Sequence, residues 1–329
     1  MERTGASGLS ILVALWAVSA PVAAVDRWSY EYQGVQVTAE GSSRYTVHLA
    51  HNLRRLDATL IDLIPFGLRD RQPLTRIYAV SPQLRKQLDD KETTLSSFWR
   101  TNAQNYLLIY NVGQDSERYR GAYTGYVRGR LSSQGDPGYP DWYSSGMGDL
   151  LGTAMLDGDQ VSIGAFIADH AYTLYREGRM PVRAVLGLHW DDPLLKSEQA
   201  RRIYEAESWF LVRQIVIEGE HRAEFASYLS LLHKGQSAGD AFAASFKVSY
   251  EDLDRMMLEA LRARRYHELS IKVPDPSGPE KPQTISAEEM ERRLTDLMAA
   301  RRGTSDQAKA PGLASARSDT SRAARGTAP

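Results

Sequence analysis

Trp28-Ser29-Tyr30-Glu31-Tyr32-Gln33-Gly34-Val35-Gln36-Val37 opens the part of the chain that decides the fold. Trp28, Tyr30 and Tyr32 alternate with polar residues, and Val35 and Val37 resume the alternation beyond Gln33-Gly34. A period of two on both sides of a tight glycine turn predicts a β-hairpin. The period then changes. Leu49, Leu53, Leu56, Leu60 and Leu63 recur at helical spacing from about Arg44 to Ile64, and Pro65 closes that helix.

Further along, short strands are expected at Arg76–Val80 and Tyr106–Val112, with a helix from about Ser116 to Leu131. The polar run from Ser132 to Gly138 ends that helix, and beyond Trp142 the strand signals fade. Phe225, Tyr228, Leu229 and Leu232 keep helical spacing up to Gly235. Leu253, Met256, Met257, Ala260 and Leu261 repeat it, behind a cap formed by Ser249 and Asp252. Such stripes read as core. The fold class is therefore α+β: a mixed sheet-plus-helix lobe over 25–150, then a mostly α-helical lobe over 151–272. From Pro274 the composition shifts to a proline-marked linker (Pro274, Pro276, Pro279, Pro282). Ser286 and Glu289 cap one short helix to about Arg302, and residues 303–329 have almost nothing to bury, so a disordered C-terminal tail is expected.

The first 24 residues read as a signal peptide. One arginine precedes the apolar run Leu9–Ala20, Pro21 breaks it, and Val22-Ala23-Ala24 offers small residues for cleavage after Ala24. An uncleaved anchor is the alternative, but the run is shorter than the ~20 residues that span a bilayer. A periplasmic or secreted protein with no transmembrane segment after cleavage is expected. The 329 residues are 42% hydrophobic and 25% charged, the composition of a globular chain with a sizeable core. Forty basic against 41 acidic side chains give a net charge of -1, so nucleic acid is not an expected partner. The absence of cysteine excludes disulfides, thiolate metal sites and cysteine nucleophiles.

A search for chemistry finds little. Of the seven histidines, His48 and His51 are three apart on the first helix, on its polar face with Asn52 and Arg55. That face is expected to be solvated. His221 and Glu224 have similar spacing beside a glycine turn. Ser144-Ser145-Gly146 lacks the preceding glycine of a nucleophile elbow, and neither a phosphate loop nor HExxH occurs.

Several blocks nevertheless follow one another in a recognisable order. They are Thr75–Val80, Tyr106–Tyr110, Pro140-Asp141-Trp142-Tyr143-Ser144-Ser145-Gly146-Met147-Gly148-Asp149-Leu150, Val161–Gly164 and Tyr204-Glu205-Ala206-Glu207-Ser208-Trp209-Phe210. A closing run from Arg222 to Leu261 carries Gly235, Ala241-Phe242 and Phe246. Over residues 28–265 this resembles the bacterial peptidase MA-like proteins, exported and with a gluzincin-type zinc metallopeptidase fold. The resemblance implies a zincin-like first lobe. It also implies a helix bearing H-E-Y-x-H and a following W-x-x-E-G segment that supplies the third zinc ligand. Here those positions fall on Thr124-Gly125-Tyr126-Val127-Arg128 and on Trp142 to Gly146. Thr124 and Arg128 replace the histidines, Gly125 replaces the general base and Ser145 replaces the ligand glutamate. Threonine and serine are poor zinc ligands, glycine cannot act as a base, and arginine places a permanent cation where a dication belongs.

The sequence thus leads to a metallopeptidase-like pseudoenzyme with no metal and no cofactor. Its expected role is to bind an envelope protein, peptide or glycan in the former substrate cleft. The candidate cleft residues are Tyr123, Tyr126, Arg128, Trp142, Tyr143 and Asp149, with Tyr119 and Tyr139 in the same aromatic cluster. Arg128 is expected to pair with Asp149, four residues after Ser145. The alternative is an active metal-dependent hydrolase using His170, His189, Asp191 and Asp192. A weaker possibility gives the partnering role to the tail.

Overall fold

A computed structural model describes residues 25–66, 74–81, 84, 96–101, 104–110, 117–133, 138–274 and 281–309. The expected signal peptide, part of the proline linker and residues 310–329 lie outside the described residues.

The hairpin forms as its alternation dictates. Strands β1 (Arg27–Tyr32) and β2 (Val35–Glu40) pair antiparallel, with Tyr30 opposite Val37. Gln33 (φ 46°) and Gly34 (φ 81°) take the left-handed turn that joins them. Helix α1 (Ser43–Leu63) follows, and Ser42 Oγ accepts from the Tyr45 N–H to cap it. Its leucine stripe is fully buried from Leu49 to Leu60, with Leu63 half-buried, and carries the chain across to β3 (Thr75–Val80), parallel to β2.

Strand β5 (Asn105–Tyr110) lies parallel to β3 and is buried along its whole length. A strand buried on both faces reads as a continuous apolar run, and Tyr106-Leu107-Leu108-Ile109-Tyr110 is one. Strand β4 (Ser96–Arg100), which the sequence reading left out, pairs antiparallel to β5 as the sheet edge. At the far edge β9 (Gln283–Thr284) pairs with β1, giving the order β4-β5-β3-β2-β1-β9.

Alternate residues of these strands feed two cores. Ile77, Ala79, Leu107 and Ile109 join the cluster that contains the α1 leucines. It also takes in helices α2 (Glu117–Ser132) and α3 (Asp141–Gly152). Tyr78, Val80, Trp99, Tyr106, Leu108 and Tyr110 pack instead against Met290, Leu294 and Leu297 of the C-terminal helix.

Three expectations are corrected. The C-terminal helix runs Ala287–Lys309, past Arg302 and into the segment expected to be disordered, and its first part is core. Strands beyond Trp142 are more numerous than the fading signal suggested: β7 (Gln160–Ile163) forms where the block Val161–Gly164 implied a strand, and β6 (Met155–Asp157) and β8 (Leu269–Lys272), which were not expected, complete a second, antiparallel sheet. The polar face of α1 is not solvated throughout. Arg55 and Asp57 are buried, and Asn52 Nδ2 donates to Tyr123 Oη at 2.7 Å.

The rest is helical: α4 (Ala168–Arg176), α5 (Val182–Gly187), α6 (Glu198–Arg213), α7 (Arg222–His233), α8 (Ala238–Ser245) and α9 (Tyr250–Ala263). Ser249 and Asp252 cap α9 reciprocally, as read from the sequence. The chain is α+β, a mixed six-stranded sheet with helices. With the last helix numbered α10, no helix among the described residues is long and apolar enough to cross a membrane.

Candidate functional site

Helices α2 and α3 carry the positions singled out by the resemblance and pack closely on one another. A Cβ on Gly148 would lie 2.5 Å from Arg128 Cγ and 3.1 Å from the Thr124 carbonyl oxygen. The missing side chain at 148 makes the room in which Arg128 lies along α3. Thr124 and Arg128, where the resemblance would place histidines, thus face the helix that bears Ser145. Gly125 faces the opposite way. A Cβ there would lie 2.5 Å from Ser96 Oγ and 2.8 Å from Leu107 Cδ1, so any side chain must displace residues of β4 and β5.

Arg128 reaches Asp149. Its Nη2 donates to both carboxylate oxygens at 3.0 Å. Its Nη1 lies 3.5 Å from Glu205 Oε1 on α6. His170 on α4 completes the cluster, its Nε2 at 3.0 Å from Asp149 Oδ2. The Arg128 side chain remains 29% exposed and that of Glu205 26%, whereas that of Asp149 is 8% exposed.

The electrostatics follow from this packing. Burial opposes the Asp149 charge, but Arg128 and the His170 hydrogen bond outweigh it and hold the carboxyl below its ordinary 3.8. For Glu205 burial wins over the attraction of Arg128, and the pKa is raised. Burial also works against the Arg128 charge, yet Asp149 and Glu205 leave its pKa raised, so it remains a fixed cation.

The two acids have opposite linkage. Asp149 contributes stability above its unfolded value of 3.8, lost as pH falls through the lower folded value. Glu205 contributes below its unfolded value of 4.5, and that contribution disappears as pH rises through the raised one. Asp149→Asn is expected to cost about 1–3 kcal/mol at pH 7, less than the ~3–5 of a fully enclosed pair because water reaches the cation. The deficit should shrink as pH falls from 7 to below 3.8 and through the lowered folded value. Urea denaturation at both pH values checks it, and an equal deficit at the two would separate Asp149 from any charge effect.

The aromatic candidates behave differently from their expected role. Tyr123, Tyr126, Trp142 and Tyr143 are at most 2% exposed and sit in the main core. They are packing residues, as are Tyr139 and the half-buried Tyr119. Ser145 is buried, and its Oγ has no hydrogen-bond partner among the described residues. The alternative ligands are scattered. His170 is held by Asp149, His189 Nδ1 lies 3.4 Å from Asp141 Oδ2, and Asp192 caps the 3-10 turn Pro193–Lys196. His51 contacts Tyr30 Oη at 3.0 Å while His48 is exposed, and His221 contacts Glu224 at 3.3 Å. Among the described residues no group of three His, Asp or Glu could hold a metal ion.

Sequence reasoning missed Glu205 as a member of the cluster. The signal was present: Glu205 and Glu207 sit inside an otherwise apolar stretch of α6, and acids drawn into a core need cations. Glu207 is indeed held by a fork from Arg179, at 2.7 and 3.1 Å. Compared with protein-family models and with curated proteins, the chain matches none.

Proposed function

We propose that this chain is an exported, non-catalytic protein on a zincin-like scaffold of the peptidase MA-like kind, and that it acts by binding a peptide, protein or glycan in the cell envelope. The observation that carries the reading is the contact of Arg128 with both oxygens of Asp149. A guanidinium held at the position of a histidine ligand repels a zinc ion rather than binding it. The crowded Gly125 supports the same reading, because a carboxylate at the position of the general base would have to displace the Ser96 and Leu107 side chains. The partner would meet the rim around Arg128 and Glu205, the members of the cluster that keep the most contact with water.

Purified residues 25–329, dialysed against trace zinc, test this reading. The expected result is zinc far below one per chain by elemental analysis, with no thermal shift on adding zinc. Stoichiometric zinc would overturn it and would call for protease assays with each of the seven histidines replaced in turn.

A further inference from the structure

A cavity of about 240 Å³ lies apart from the Arg128 cluster, between the C-terminal end of α1, helix α3, helix α7 and a π turn. The π turn, Gln214–Glu218, continues α6 and ends at Gly219 in the left-handed region (φ 75°). Such turns shift the backbone register and recur at functional sites. Here the shift brings Ile215 and Val216 to the cavity wall, joined by Ile64, Tyr143, Phe225 and Leu229, all of them buried.

Two charged residues also line it, Arg222 and Asp62. The Arg222 guanidinium donates from Nη2 to the Val216 carbonyl at 2.5 Å and from Nε to the Ile215 carbonyl at 3.4 Å. These carbonyls hold the head group in place but do not neutralise it. Among the described residues it has no ion-pair partner, and its Nη1 donors remain uncommitted. Its field reaches Tyr143: burial pushes that phenol up and Tyr139 adds to the shift, while Arg222 pulls it back. Arg222 is itself exposed, so it stands at the mouth of the cavity, and a fixed cation at the mouth of an apolar space is an arrangement that takes an anion with a hydrophobic body.

We infer that this cavity is a binding site for a small apolar monocarboxylate, its hydrocarbon part against Ile215, Val216, Phe225 and Leu229 and its carboxylate on Arg222. Two sources carry this chemistry: a free short-chain acid, and the C-terminal residue of a peptide that ends in an apolar side chain. Asp62, exposed and lining the same cavity, opposes any negative charge there, so the single carboxylate must sit on Arg222 and a second one is disfavoured. The site does not depend on the reading of the Arg128 cluster, and zinc binding at that cluster would leave it untouched.

Titration calorimetry on the full chain without its first 24 residues tests it with two acids and their uncharged matches: octanoate against octanol, and N-acetyl-leucyl-leucine against its amide. At least one acid is expected to bind saturably and about tenfold or more tighter than its match, since a charge-assisted hydrogen bond distinguishes them. The acid that does so identifies the source. Arg222→Gln should erase the preference while Arg222→Lys keeps part of it. Ala226→Leu, which fills the cavity from α7, should abolish binding without touching the cation. Equal affinity for acid and neutral match would overturn the inference, as would an acid preference that survives Arg222→Gln. Absence of saturable binding by either acid in a chain with the wild-type melting transition would overturn it equally.

Discussion

Removing residues 281–329 is expected to leave a chain that no longer folds to a soluble monomer. Met290, Leu294 and Leu297 on α10 cover the sheet face formed by Tyr78, Val80, Trp99, Tyr106, Leu108 and Tyr110. Burying one such side chain contributes about 1.5–3 kcal/mol, so three contribute roughly 5–9, close to the whole stability of a typical domain. The same cut strips β9 from β1 and bares a sheet edge, which invites pairing between chains. It also removes Arg293, whose Nη1 donates to Ser29 Oγ at 2.9 Å and to Thr38 Oγ1 at 3.1 Å. Circular dichroism and size-exclusion chromatography should show aggregated or unfolded material. A folded monomer with an unchanged melting temperature would detach α10 from the core. Leu297→Ala is the gentler version, with an expected loss of about 2–5 kcal/mol. A tail-deletion experiment on partner binding must therefore stop at residue 310, which keeps every described element.

The second large effect is expected at Asp57→Ala. Arg130 on α2 grips Asp57 on α1 with a fork, Nε to Oδ1 at 2.5 Å and Nη2 to Oδ2 at 2.9 Å. Both side chains are almost closed to water, at 7% and 3% exposure. Removing the acid strands the cation beside Tyr126 in the core, at a cost of about 3–5 kcal/mol. Arg54, which donates to the same carboxylate at 3.0 Å, does not compensate because it loses its own partner as well. Replacing both members, Asp57→Leu with Arg130→Met, should recover most of the loss, since an apolar pair of similar volume is often neutral or stabilising. Urea denaturation of the two single variants and the double one measures the coupling. A loss under about 1 kcal/mol for Asp57→Ala would remove this pair from the account of how α1 and α2 are held together.

The two ion pairs in the α2 region differ in how far the sequence signals them. Arg128 with Asp149 could be anticipated because the resemblance placed a cation and an acid at two related motif positions. Arg130 with Asp57 could not, because the pair spans 73 residues and nothing local marks either partner. On α1 the residues between the leucines looked like a water-facing stripe. Helix α2 and strand β7 then covered part of that stripe, and Arg55 Nη2 came to donate to the Gln160 carbonyl at 2.9 Å. Amphipathic spacing tells which face of a helix must be buried. It does not tell whether a neighbour will also cover the other.

The aromatic residues make the same point from the opposite direction. Tyr123, Tyr126, Trp142 and Tyr143 cluster in sequence around the motif positions, which suggested a lined groove. Ring burial is set by the packing of α2, α3 and the sheet, and these rings fill that packing. The cavity beside Arg222 draws on α1, α3, the π turn and α7, segments spread along the chain from Asp62 to Leu229. A π turn carries no periodicity signal of its own, so the site it shapes was hidden.

By itself the sequence determined what depends on neighbours in the chain. The β1–β2 turn at Gln33-Gly34, the leucine stripe of α1, the apolar β5 and the cap of α9 are all local consequences of residue chemistry. It also excluded cysteine chemistry outright. Tertiary structure alone decided that α10 closes the second face of the sheet, that Glu205 and His170 join Arg128 and Asp149, and that Arg222 stands at an apolar cavity. The physical reason is that burial and charge pairing act through space. Their partners are chosen by how elements pack, and sequence spacing constrains that choice only within a single element.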